Sequence, residues 1–161
     1  MRCLLIGCGC RGQALAASLV AEGHAVRGTS RDSSRVPALE AAGVEAFVAD
    51  PDRVGTILPA LQHVSVACLL LGSAAGDPER IAALHGPRLE TLLDKMIDTT
   101  IRGVVYEAAG TAPPEVLERG SEMVSAVCRR SQIPYALLDA DPSDYRAWVG
   151  AAEAAVERVM A

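Results

Sequence analysis

Apolar residues along this chain fall into six short runs, separated by stretches in which they recur every three or four positions. The runs predict strands at about 2–6, 25–29, 45–48, 64–71, 102–107 and 134–138. The stretches between and after them predict helices at about 11–22, 33–42, 52–61, 79–95, 114–131 and 143–160. Helix-start chemistry agrees: Asp32 or Ser33 can cap the second helix, Asp50 or Asp52 the third, Asp77 before Pro78 the fourth, and Asp141 or Ser143 the last. Strict alternation of strand and helix, joined by right-handed crossovers, implies an α/β, doubly wound, six-stranded parallel sheet of order 3-2-1-4-5-6. A ligand crevice is then expected at the carboxyl ends of strands 1 and 4. No repeat, linker or low-complexity segment interrupts the pattern, so residues 1–161 read as a single domain.

The first strand runs directly into Gly7-Cys8-Gly9-Cys10-Arg11-Gly12, a G-x-G-x-x-G turn that opens into the first helix. In that strand–turn–helix setting the motif is the dinucleotide fingerprint of a Rossmann unit. Gly7 permits the tight turn, Gly9 lets backbone approach a pyrophosphate, and Gly12 allows close helix–strand packing. The helix start meanwhile offers unpaired N–H groups to the anion.

Composition removes several alternatives. Half of the 161 residues are hydrophobic, yet the longest apolar runs fall well short of the ~20 residues that cross a bilayer. No basic segment with a long apolar stretch precedes the first strand, so a cytoplasmic location is expected. Net charge is −5, basic residues are scattered and only five aromatics occur, which disfavours a nucleic-acid partner. Five unevenly spaced cysteines, Cys3, Cys8, Cys10, Cys68 and Cys128, make a poor disulfide framework, and no metal site is expected because His24, His63 and His85 lie in different elements. Cys8 and Cys10, beside a helix start, are either thiols of lowered pKa or merely small side chains filling variable fingerprint positions.

The end of the second strand decides which nucleotide is expected. A reader of the ribose 2′-OH is usually an Asp or Glu there, but this chain has Gly28-Thr29-Ser30-Arg31. Hydroxyl donors and a guanidinium suit a 2′-phosphate, so NADP(H) is favoured over NAD(H), with Arg11 and Arg35 as secondary candidates for the same phosphate. Asp32 is the opposing feature, since it would favour NAD if it faced the ribose instead of capping a helix.

The residues assembled so far resemble the short-chain dehydrogenase/reductase superfamily, in its atypical branch related to nucleotide-sugar epimerases. The resemblance runs through Leu5–Gly12, Gly23–Arg31, Ala49-Asp50-Pro51-Asp52, Gly103-Val104-Val105-Tyr106 and Ile133–Leu138. It implies that Asp50 lies beside the adenine amino group, helix capping being the other role open to it. It also implies a catalytic Ser after the fifth strand and a Tyr-x-x-x-Lys, where the lysine tunes the tyrosine as acid or base. Here the chain departs from the pattern. Tyr106-Glu107-Ala108-Ala109 carries alanines in place of hydroxyls, the lone lysine is Lys95, and none of Tyr106, Tyr135 and Tyr145 has a lysine four residues on.

Near the expected nicotinamide position stand Gly72 and Ser73, Glu107 and Thr111, and Asp139 and Asp141. Glu107 is the candidate acid or base, or else a carboxylate bonded to loop N–H groups. His85 reads as a helix-surface residue or as a second proton-exchange candidate. The expected cofactor-binding set is Gly7, Cys8, Gly9, Cys10, Arg11, Gly12, Thr29, Ser30, Arg31, Arg35, Asp50, Gly72 and Ser73. Three functions follow from this reading: a cofactor-binding or redox-sensing module without the usual catalytic set, a divergent NADP-dependent oxidoreductase or epimerase-like enzyme using Glu107, and a nucleotide-sensing regulatory domain. The first is preferred. The last resembles this chain only through the second strand and usually has an acid where Thr29 and Ser30 stand. Assembly as a homodimer is left open.

Overall fold

Alternate residues of the inner strands point to opposite faces of a sheet that is covered on both sides. The computed structural model describes residues 1–161. Its strands are β1 (Arg2–Ile6), β2 (Ala25–Ser30), β3 (Glu45–Val48), β4 (Val66–Leu69), β5 (Gly103–Glu107) and β6 (Tyr135–Leu138), all parallel, in the order β3-β2-β1-β4-β5-β6. The helices are α1 (Cys10–Ala21), α2 (Val36–Ala41), α3 (Pro78–Leu84), α4 (Pro87–Ile97), α5 (Pro114–Arg130) and α6 (Tyr145–Met160). Leu4, Ile6, Leu69, Val104 and Tyr106 enter one core with residues of α4 and α5. Cys3, Leu5, Cys68 and Val105 enter the other with residues of α1 and α6. Two-sided burial is why these strands carry apolar residues without interruption.

Four expected helices differ in detail. Residues 52–61 form two 3₁₀ turns, Val54–Thr56 and Leu58–Leu61. Pro59 lacks the N–H for an α-helix and its ring would crowd the preceding turn, while Thr56 Oγ1 donates back to the Arg53 carbonyl at 2.7 Å. Those turns are held to the sheet by Arg27 of β2, whose guanidinium donates to the carbonyls of Ala60 (2.7 Å) and Gln62 (2.8 Å). The expected helix 79–95 is broken into α3 and α4 at Gly86 (φ −120°, ψ −108°), because the residue before Pro87 is pushed out of helical geometry. The last helix is capped by Asp144, which accepts from the Ala147 N–H at 3.2 Å. Asp141 instead binds the Ser143 N–H and hydroxyl within the preceding turn. Asp32 and Asp77 do cap, accepting from the N–H groups of Ser34 and Arg80, although Asp32 caps a 3₁₀ turn (Ser33–Arg35) leading into α2. The fourth strand is limited to Val66–Leu69, leaving Leu70 and Leu71 in the loop at its carboxyl end.

Candidate functional site

At the end of β1 the chain must turn beneath the backbone that leaves β4. Gly7 does so at φ +89°, and a β-carbon there would lie 2.5 Å from the Leu70 carbonyl oxygen. The turn is tied to β2 by Thr29, whose hydroxyl accepts from the Gly7 N–H (3.3 Å) and whose carbonyl accepts from the Cys8 N–H (3.1 Å). At Gly12 a β-carbon would make ordinary contacts with Gly7, Cys8 and Leu70 at 3.4–3.6 Å, so α1 packs on the turn with little room to spare. Gly9 is different: a β-carbon there would find no protein atom within 4 Å, and its φ is −80°. The fold does not require glycine at position 9; what glycine preserves there is open space.

That space lies in front of an uncapped helix. Gly9 caps α1 without a side-chain hydrogen bond, and the first bond back to it comes from Gln13 (2.8 Å). The N–H groups of Cys10, Arg11 and Gly12 are therefore left without protein partners, which makes them donors for an anion. Around them opens a cleft of about 740 Å³ across the carboxyl ends of the sheet.

The wall on the β2 and β3 side carries Ser30, Arg31, Asp32, Arg35 and Asp50. Arg31 and Arg35 are exposed and form no ion pair within the chain. Asp32 is turned into its own loop by Ser34, whose hydroxyl and N–H donate to it at 2.7 and 2.9 Å and hold its carboxyl below the usual carboxylate range. Asp50 Oδ1 likewise accepts from the Asp52 N–H at 2.9 Å. Arg80 of α3, a cleft residue with no signal in the sequence, pairs with Asp52 at 2.5 Å and donates to the Ala75 carbonyl, joining the loop after β3 to the loop after β4.

The opposite end is built on Glu107, the last residue of β5 and 0 % exposed. Its Oε1 accepts from the Gly72 N–H (2.8 Å), and its Oε2 from Trp148 Nε1 (2.9 Å) and an Arg11 guanidinium nitrogen (3.3 Å). Burial raises the Glu107 pKa, with Arg11, the Gly72 N–H and Trp148 opposing it. The Arg11 guanidinium lies 5.2 Å from the centroid of the Trp148 ring. Trp148 is the second site residue that sequence reasoning missed, because a lone tryptophan in an amphipathic helix carries no local sign of what its indole will reach.

Of the expected cofactor-binding residues, all but Gly72 line the cleft. Gly72 is buried behind it, against the loop after β5: a β-carbon there would lie 2.8 Å from Glu107 Oε1. Ser73 does face the cleft, and its hydroxyl accepts from the Thr111 N–H at 3.2 Å. Asp139 and Asp141 are exposed beyond β6 and outside the cleft. The thiolate reading of Cys8 is corrected: the side chain is buried against Gly28, and burial pushes the thiol up to about 11. Cys10 is exposed at the first position of α1. His85 is also corrected from a helix-surface position. It is 2 % exposed, its Nε2 donates to the Leu71 carbonyl (3.0 Å), and its Nδ1 accepts from the Tyr106 hydroxyl (2.6 Å). Burial lowers the His85 pKa and raises that of Tyr106.

A family model described as NAD(P)H-binding matches residues 7–153. The chain belongs to this NAD(P)H-binding family. Its fold is that of the short-chain dehydrogenase/reductase-like Rossmann proteins. A short-chain dehydrogenase/reductase superfamily protein from Agrobacterium tumefaciens with bound NAD is 20% identical, with a TM-score of 0.71 over 85% of this chain and 48% of that one. Citrobacter triphenylmethane reductase complexed with NADP(H) is 16% identical, with a TM-score of 0.64 over 86% and 48%. An anaerobilin reductase from Escherichia coli is 17% identical, with a TM-score of 0.62 over 85% and 71%. This NAD(P)H-binding chain thus spans about half the length of the first two structures. No curated protein matches the sequence. Three features suit the family's cofactor: the unfilled space at Gly9, the unpartnered N–H groups of α1, and the two walls that flank them. No group of three or more His, Cys, Asp or Glu side chains could hold a metal ion, and no helix is long and apolar enough to cross a membrane.

Proposed function

We propose that this chain is an NADP(H)-binding module that senses the cofactor instead of turning over a substrate by the superfamily's usual route. The carrying observation is the uncapped start of α1 facing open space at Gly9, with two unpaired arginines on the β2 side. The N–H groups of Cys10, Arg11 and Gly12 would receive the diphosphate, in keeping with the positive end of the helix dipole. Arg31, seconded by Arg35, would take the 2′-phosphate as charge-assisted donors, a role that the engagement of Asp32 with Ser34 leaves open to them. The second oxygen of Asp50 is free to accept from the adenine amino group. Bound there, the nicotinamide would supply hydride exchange.

The non-catalytic reading is supported at the other end of the cleft. Ala108 and Ala109 offer no hydroxyl and Lys95 lies on α4, away from the cleft lining. Glu107 has three donors on its two oxygens and no exposed surface, so it lacks the solvent route that proton exchange in repeated turnovers needs. The same enclosure suits a residue that fixes the shape of the cleft.

Titration of NADPH, NADP⁺, NADH and NAD⁺ tests the proposal, with calorimetry or the fluorescence of Trp148, the chain's single tryptophan, as readout. NADP(H) should bind more tightly than NAD(H) and raise the melting temperature. A panel of alcohols, aldehydes, ketones and sugar nucleotides should give no change at the reduced-nicotinamide absorbance band above the uncatalysed rate. Absence of binding by any of the four nucleotides would refute the cofactor reading, and turnover would refute the sensing one.

A further inference from the structure

The two ends of the cleft differ in what a change of redox state would do to their electrostatics. A dinucleotide whose adenine ribose lies at β2 puts its nicotinamide half over β4, toward the end bounded by Arg11, Ser73, Glu107 and Trp148. At that end Arg11 supplies the positive charge and Glu107 the negative one, but they are not equally presented. The Arg11 side chain is 26% exposed and lies over the Trp148 ring, whereas Glu107 is 0% exposed behind it, its oxygens shared with Gly72 and Trp148. The 3.3 Å contact with Glu107 uses one guanidinium N–H, and Arg11 Nε is buried with no partner. The charge that meets the cleft is therefore the cation, and the carboxylate mainly fixes where it stands.

The nicotinamide ring is the part of the cofactor whose charge differs between redox states, positive when oxidised and neutral when reduced. Resting on the cofactor reading above, we propose that Arg11, positioned by Glu107 and Trp148, makes the cleft bind the reduced cofactor more tightly than the oxidised one. A ligand can shift a protein's state only through such a difference in affinity, so this preference is what would let the module respond to the NADPH:NADP⁺ ratio. The other charged groups of the cleft, Arg31, Arg35, Asp32 and Asp50, with the Arg80–Asp52 pair, flank the adenine half, which is chemically identical in both forms. They set overall affinity and leave the ratio to Arg11.

The test compares dissociation constants for NADPH and NADP⁺ in the wild type, Arg11→Gln and Arg11→Lys, with adenosine 2′,5′-bisphosphate as a ligand that lacks the nicotinamide half. The wild type should favour NADPH by roughly threefold to tenfold, the scale of one partly compensated charge at a partly exposed site. Arg11→Gln should bring the ratio toward one and Arg11→Lys should keep most of it, while the bisphosphate, which lacks the nicotinamide half, should still bind all three proteins. The preference should also shrink from low to high salt, a readout that needs no variant. A wild-type ratio of one or less, a ratio indifferent to salt, or a ratio unchanged in Arg11→Gln would overturn the assignment of Arg11. Failure of both cofactor forms and the bisphosphate to bind would overturn the cofactor reading along with it, a result distinct from binding at equal affinity.

Discussion

Gly9→Ala separates what the fold needs from what the ligand needs. The added methyl meets no protein atom within 4 Å and the local φ of −80° suits alanine. The folded state is therefore not penalised, while the unfolded chain loses freedom, which is worth about 0.4–1 kcal/mol in favour of the native state. For a chain of this length that raises the melting temperature by about 1–4 °C. The same methyl occupies the space in front of the N–H groups of Cys10, Arg11 and Gly12, so the diphosphate is held off. Losing one hydrogen bond to a charged group costs about 1.5–3 kcal/mol, which weakens NADP(H) binding by about 10- to 150-fold. Gly7→Ala is the contrasting control. With φ at +89° and the Leu70 oxygen 2.5 Å from the new β-carbon, the conformational cost of about 1–2 kcal/mol adds to a backbone clash, so this variant should melt earlier before any ligand is added. Thermal denaturation of the free proteins and calorimetric titration read the two effects separately. A Gly9→Ala protein that binds NADP(H) within twofold of the wild type would refute the reasoning, and so would one that is clearly destabilised in the absence of ligand.

Arg31→Ala should remove most of the preference for NADP(H) over NAD(H), by about 1.5–3 kcal/mol for a lost charged hydrogen bond; comparison of the two affinities checks it, and an unchanged preference would clear Arg31 of the role. Gly120→Ala should destabilise the protein by about 1–3 kcal/mol of overpacking, measured by urea unfolding. Gly120 lies inside α5, where alanine would ordinarily be the better residue by about 0.5–1 kcal/mol, but its β-carbon would collide with the Tyr106 hydroxyl; a stabilised variant would contradict the packing. Burial depresses the His85 pKa, so the unfolded chain takes up a proton below its ordinary pKa of ~6.5 before the folded one does. The His85 contribution is thus present above that value and is lost as pH falls toward the folded pKa. His85→Gln should flatten the decline of stability on acidification just below pH ~6.5, and parallel wild-type and variant curves would show that His85 is not its source.

Local patterns carried most of the fold. A run of residues buried on both faces, the tight turn at Gly7 and the caps at Asp32 and Asp77 depend on neighbours a few positions away, so their chemistry is legible in the string itself. The same holds for the candidate cleft as a whole, since β1, the fingerprint and α1 are contiguous and the Arg31 position follows directly from β2. Even the break at Gly86-Pro87 and the 3₁₀ turns around Pro59 have their causes in the sequence, although the helical periodicity ran through both. Tertiary structure decided which charges would be free. Arg11 reads as a secondary candidate for the 2′-phosphate, behind Arg31, until α6 brings Trp148 and β5 brings Glu107 against it, across separations of 137 and 96 positions. Glu107 reads either as an acid or base or as a carboxylate bonded to loop N–H groups, and only the folded chain brings Arg11, Trp148 and the Gly72 N–H onto its oxygens and encloses it. His85 looks like a surface residue until Tyr106 and the Leu71 carbonyl satisfy both ring nitrogens. The strength and protonation of a polar group depend on how much water surrounds it and which partners replace that water, and both are set by segments that meet only after the chain has folded.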